Sequence, residues 1–120
     1  MKRGKRILVV DDDDSIRDFI AMALTDDGYD VATAGEGERA LEVARDWEPG
    51  LVLLDMRMPG MDGWSFARAY RAEPRRAPIL VVTAARDAAL YAAEIQADAF
   101  LAKPFDLHDL LGLVERLARG

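Results

Sequence analysis

The chain has 120 residues, 22 acidic against 16 basic side chains, a formal net charge of −6 and 51% hydrophobic residues. That length is one unit able to bury its own core, so a single domain over residues 1–120 is expected. With no cysteine and one histidine, His108, disulfide frameworks, thiolate metal centres and multi-histidine sites are excluded, and the acidic balance argues against direct nucleic-acid binding.

The N-terminus, Met1-Lys2-Arg3-Gly4-Lys5-Arg6, is basic, but the apolar run behind it (7–10) is short and ends in aspartates, which is no signal peptide. Run 7–10 reads as a strand. Ile16, Phe19, Ile20, Ala23 and Leu24 then recur on one helix face, with Gly28 as its stop. Run 31–34 follows, then a stripe of Ala40, Leu41, Ala44 and Trp47 closed by Pro49. Run 51–54 precedes a third stripe, Phe66, Ala67 and Tyr70, opened by Asp62 as N-cap and closed near Pro74. Run 79–82 leads into an alanine-rich helix over 87–96. Run 99–102 leads into the clearest stripe, Leu107, Leu110, Leu111, Val114, Leu117 and Ala118, with Asp106 as N-cap. No run nears the roughly 20 residues of a membrane span, so a soluble, cytoplasmic protein without membrane partners is expected.

Five β-α units in succession predict an α/β doubly wound fold, and strands of Ile, Leu and Val without alternation fit a parallel sheet covered on both faces. Such sheets carry their ligand site beyond the carboxyl ends of the strands, where strand order reverses. Those ends hold Asp11, Asp12, Asp13 and Asp14 after the first strand, Asp55 after the third, Thr83 after the fourth and Lys103-Pro104 after the fifth.

Crowded carboxylates with no soft ligand call for a hard cation, Mg²⁺ or Mn²⁺, and a weakly held magnesium normally shares its shell with a phosphate. Lys103 suits a phosphoryl oxygen and Thr83 can donate to another. Asp55 is then placed to act as a nucleophile that forms an acyl phosphate. Asp13 and Asp14 read instead as cap and first-turn charge of the first helix. Lys103-Pro104-Phe105 marks a special turn. His108 is assigned no role, and Met56, Met58 and Met61 read as loop packing.

The segments Ile7-Leu8-Val9-Val10-Asp11-Asp12, Leu53-Leu54-Asp55-Met56-Arg57-Met58-Pro59-Gly60-Met61-Asp62-Gly63, Val82-Thr83-Ala84 and Lys103-Pro104-Phe105 together resemble the receiver domain of two-component response regulators over essentially the whole chain. The resemblance implies a flavodoxin-like (βα)5 fold, chemotaxis-regulator-like, with its five-stranded parallel sheet in order 2-1-3-4-5. It implies that Asp55 accepts a phosphoryl group from a sensor histidine kinase or histidine phosphotransfer protein. It implies that Asp11, Asp12, Asp55 and the backbone carbonyl of Arg57 bind Mg²⁺, that Thr83 and Lys103 contact the phosphoryl oxygens, and that Phe100 is the switch aromatic, where tyrosine is commoner. It makes the chain no enzyme beyond self-phosphorylation and slow autodephosphorylation. It also implies a downstream protein or an output domain beyond Gly120, and a monomer or weak dimer.

The chain departs from the pattern at Arg57, two residues after the phosphoacceptor, and at Ala85, which offers no side chain to position a hydrolytic water. Residues 83–103 are about two fewer than usual, and Gln96 stands where glycine normally precedes Ala97-Asp98. Two other readings remain open on the sequence. One is a phosphorylation-independent interaction module. The other is an aspartyl-phosphate phosphohydrolase, which typically has a second acid where this chain has Arg57.

Overall fold

The protein is described by a computed structural model covering residues 4–74, 76–84 and 86–119. Ala85 and Gly120 lie outside these residues. The chain alternates β1 (Arg6–Val10), α1 (Asp14–Asp26), β2 (Asp30–Ala34), α2 (Gly37–Trp47), β3 (Leu51–Leu54), α3 (Gly63–Arg71), β4 (Ile79–Ala84), α4 (Ala88–Ile95), β5 (Ala99–Lys103) and α5 (Leu107–Leu117). The strands form one parallel sheet in the order β2-β1-β3-β4-β5. The expected doubly wound fold is therefore present, with β1 and β3 flanking the point where the order reverses.

The three central strands, β1, β3 and β4, each serve two cores, because successive side chains point to opposite faces. Leu8, Val10, Val52, Leu54, Ile79 and Val81 face Ala40, Leu41 and Ala44 of α2, Phe66 and Tyr70 of α3, and Tyr91 and Ile95 of α4. Ile7, Val9, Leu51, Leu53, Leu80 and Val82 face Ile20 and Leu24 of α1 and Leu110 and Val114 of α5. The central strands are buried on both sides, which is why their sequences are unbroken apolar runs.

Local signals set the helix ends. Asp13, Asp62 and Asp106 accept at the N-caps of α1, α3 and α5 from the backbone N–H groups of Ile16, Ser65 and His108, and Gly28 follows the end of α1 at φ 100°. Asp87 holds the N-cap position of α4 without a side-chain hydrogen bond, and Gln96 ends α4 in the left-handed region at φ 55°. That end is tied down from α3, where Arg71 Nη2 donates to the carbonyls of Ile95 and Gln96, each at 2.7 Å.

Two stripe residues are corrected. Phe19 is 52% exposed and Leu107 is 38% exposed. A helix lying on a sheet buries a narrow i, i+4 line, here Ile20 and Leu24 in α1 and Leu110 and Val114 in α5, and both residues sit on its flank. Strand β4 also runs two residues past the expected end, so Thr83 and Ala84 belong to the strand itself.

Candidate functional site

Parallel pairing brings the ends of β1, β3, β4 and β5 together at one edge of the sheet. Asp55 follows β3 and is fixed through its backbone N–H, which donates to the Val10 carbonyl at 2.9 Å. Asp11 follows β1 and is held likewise, its N–H donating to Ala34 O at 3.1 Å. Asp11, Asp55 and Thr83 are buried, while Asp12 is exposed.

The polar contacts converge on the Asp55 carboxylate. Thr83 Oγ1 donates to Oδ1 at 2.9 Å, and Lys103 Nζ lies 3.3 Å from Oδ2. The same ammonium donates to Asp11 Oδ2 at 2.7 Å, and the Asp13 N–H caps Asp11 Oδ1 at 2.9 Å. Arg17 of α1 holds the turn by donating to the Asp11 carbonyl at 2.9 Å, while also pairing with Asp14 at 2.6 Å. The Lys103-Pro104 peptide is cis.

Burial pushes the Asp11 carboxyl above its usual range, with the nearby Asp55 charge adding to the effect, even though Lys103 and the Asp13 N–H favour the ionised form. Burial works against the charge on Lys103, but the Asp11 hydrogen bond and the Asp55 and Asp11 charges outweigh it and raise its pKa. The Asp55 charge acts on both groups in the same direction.

Carboxylate oxygens of Asp11, Asp12 and Asp55 lie within 4.8 Å of one another. An all-oxygen set with one exposed member fits a hard, partly hydrated cation such as Mg²⁺. The Arg57 carbonyl belongs to the loop directly after Asp55, whose course is set by Gly63. A Cβ at Gly63 would stand 2.6 Å from Met56 Cα, so α3 starts hard against that loop.

The Arg57 side chain forms a cluster that sequence reasoning missed. Its Nε and Nη2 both donate to the Tyr91 hydroxyl, the former at 3.1 Å. Its guanidinium lies 5.3 Å from the Tyr91 ring centroid and 5.9 Å from that of Trp64, and the two rings meet edge to face at 4.7 Å. The Tyr91 hydroxyl raises the Arg57 pKa, so this cation stays charged. No spacing rule joins residues 57, 64 and 91, and an arginine two residues after Asp55 was the only pointer. Arg17 was missed because its bond to the Asp11 carbonyl depends on how the turn before α1 folds.

The remaining residues fall where their chemistry places them. Phe100 is 48% exposed on edge strand β5, beside Val81. Met56 and Met58 are buried packing residues and His108 is exposed.

The family model described as the response regulator receiver domain matches residues 7–115. The DNA-binding response regulator MtrA of Mycolicibacterium smegmatis is 40% identical over 119 residues, covering 97% of this chain and 52% of that protein. The chain thus spans about half the length of that curated relative. The chemotaxis response regulator CheY4 of Vibrio cholerae superposes with a TM-score of 0.85 at 32% identity, covering 94% of this chain and 98% of that one. The receiver domain of the Francisella response regulator 1452 superposes at 0.85 with 26% identity, covering 95% and 96%.

Proposed function

The chain belongs to the response regulator receiver domain family, and on that premise we propose that it is a phosphorylation-controlled signalling switch with Asp55 as phosphoacceptor. The observation that carries this reading is the division of labour at the Asp55 carboxylate, with Thr83 on one oxygen and Lys103 on the other.

The donor class is a phosphohistidine on a sensor histidine kinase or a histidine phosphotransfer protein. An Asp55 oxygen attacks phosphorus, the P–N bond breaks, and the imidazole leaves with the bonding electron pair and takes up a proton. Lys103 and the Thr83 hydroxyl accompany the oxygens on which charge is spread. Asp11, Asp12, Asp55 and the Arg57 carbonyl would hold Mg²⁺, or Mn²⁺ in its place. Bound there, the ion supplies charge neutralisation for a transfer between two anionic groups. Slow hydrolysis of the acyl phosphate resets the protein.

The product carries about −1.5 to −2 charges and three acceptor oxygens where a carboxylate stood. Thr83 and Lys103 are drawn to it, and the space beside Thr83 admits Phe100 from its exposed position. The altered face is read by a downstream protein or an output domain beyond Gly120. The protein works in the cytoplasm as a monomer or weak dimer, without touching nucleic acid or membrane itself. Among the described residues no helix is long and apolar enough to cross a membrane. The phosphohydrolase reading is disfavoured because Arg57, with its side chain engaged by Tyr91, stands where a second acid is needed.

Incubation with a small phosphodonor and Mg²⁺ tests this reading. One base-labile phosphoryl group is expected, absent from Asp55→Asn. A phosphoryl group on Ser15, Thr25 or Ser65 instead would overturn it.

A further inference from the structure

We infer that Arg57 is the residue that carries the phosphorylation signal to helix α4, by exchanging the Tyr91 hydroxyl for the phosphoryl group on Asp55. The inference rests on the phosphoacceptor reading and adds a route to it. In the unphosphorylated protein the guanidinium is occupied: Nε and Nη2 both point at one hydroxyl, and its face lies against the rings of Tyr91 and Trp64. The backbone of the same residue stands beside the phosphoacceptor, with Arg57 N 3.5 Å from Asp55 Oδ1. One residue therefore touches the reacting carboxylate with its main chain and α4 with its side chain.

The two partners are unequal. A neutral hydroxyl offers a forked cation one acceptor oxygen. A phosphoryl group offers three, with close to two negative charges, and guanidinium geometry matches it in a bidentate fashion. Lys103 does not remove this demand, because it is already shared between Asp11 and Asp55. Arginine on a flexible stem two residues from Asp55 can turn from one partner to the other without movement of the main chain.

Departure of Arg57 has a defined consequence at Tyr91. This residue is buried, and its hydroxyl is bonded only to Arg57 among the described residues. With the guanidinium gone, the hydroxyl loses its protein partner and the ring loses the cation packed against it, so Tyr91 is released from the loop after β3. Tyr91 lies in the first turn of α4, whose Asp87 N-cap makes no side-chain hydrogen bond, so the Arg57 clasp is the side-chain tie between that turn and the loop after β3. The Trp64 ring packs on Tyr91 and its Nε1 donates to Glu94 of α4 at 3.1 Å, so the displacement passes to α3 as well.

Because the clasp and the phosphoryl contact compete for one side chain, two substitutions must act in opposite directions. Tyr91→Phe frees Arg57 in advance and is expected to tighten binding of beryllium trifluoride, a phosphoryl mimic, several-fold in Mg²⁺. Arg57→Ala removes the contact and is expected to weaken it several-fold, with Arg57→Lys between. A role limited to packing would move both variants the same way, and that result would overturn the inference. Fluorotyrosine labelling gives a second reading, with Tyr91 assigned through Tyr91→Phe. The Tyr91 resonance of the wild type should shift on adding the mimic toward its position in unliganded Arg57→Ala, and should not move further when Arg57→Ala is itself liganded. Mimic bound at Asp55 with the Tyr91 resonance unmoved overturns the inference alone. Absence of mimic binding and of phosphoryl uptake by the wild type overturns the phosphoacceptor reading and this inference together.

Discussion

Lys103 sits closer to Asp11 than to Asp55, its ammonium 2.7 Å from the first carboxylate and 3.3 Å from the second. The lysine is the local counter-charge to both carboxylates, and it leans toward Asp11. Lys103→Ala should leave two buried carboxylates facing each other and lower stability by about 1–3 kcal/mol in metal-free buffer. Excess Mg²⁺ should then raise the melting temperature of the variant more than that of the wild type. Equal rises in the two proteins would contradict the shared role.

Asp12 has the opposite character. It is exposed and accepts no hydrogen bond among the described residues, so Asp12→Ala should change metal-free stability by no more than about 0.5 kcal/mol. The same variant should abolish the Mg²⁺-dependent rise in melting temperature. A retained response would show that Asp12 is not a ligand.

Gln96 closes α4 at φ 55°, ψ 44°, a conformation that crowds any side chain carrying a Cβ. Gln96→Gly should stabilise the protein by about 0.5–1 kcal/mol, read as a higher denaturant midpoint at unchanged slope. A lower midpoint would mean that the Gln96 side chain supplies more than the turn costs.

Tyr70 sets the alkaline limit. Burial raises its pKa above the ordinary 10.0, against the Ala77 N–H that donates to its oxygen at 2.7 Å. From pH 10.0 up to the folded value, the unfolded chain ionises while the folded one stays protonated, so the folded state binds more protons and stability falls as pH rises. Lys103, also raised, loses its contribution in the same direction as pH climbs through its folded value. Tyr70→Phe should be less stable at neutral pH but decline less steeply above pH 10. Parallel curves for the two proteins would exclude Tyr70 as the titrating group.

Phe100 stands outward, and it has no hydroxyl to satisfy on turning in. With fluorophenylalanine at this position, a minor inward resonance should be present before phosphorylation and should grow on adding a phosphoryl mimic. A single resonance that ignores the mimic would make Phe100 a static surface residue.

The periodic part of the fold was legible because local physics sets it. Runs such as 51–54 have no polar side chain to place on a solvent face, and Asp13, Asp62 and Asp106 cap helices with neighbours three or fewer residues away. The acidic site was legible for a related reason, since parallel order alone brings Asp11, Asp55, Thr83 and Lys103 to one edge. What stayed hidden depends on how helices pack. A helical wheel puts Phe19 on one face with Ile20 and Leu24 but cannot tell how wide the contact with the sheet is. The Arg57–Tyr91 pair joins residues 34 positions apart on a loop and a helix, and only folded geometry brings them together.

Arg71 gives α4 a fixed end. Its two hydrogen bonds to the carbonyls of Ile95 and Gln96 pin the C-terminal turn, whereas the N-terminal turn has no side-chain cap. The helix is thus hinged like a door, with its free edge at the exposed Ala89 and Leu90 of the first turn and its pivot at Gln96, and a given rotation moves the free edge furthest. Amide exchange should follow that lever, fastest in the first turn and slowest at Ala97, whose N–H bonds the Ala92 carbonyl at 2.8 Å. A partner that grips the free edge reads the largest displacement the helix can make, while one that grips the pivot reads almost none.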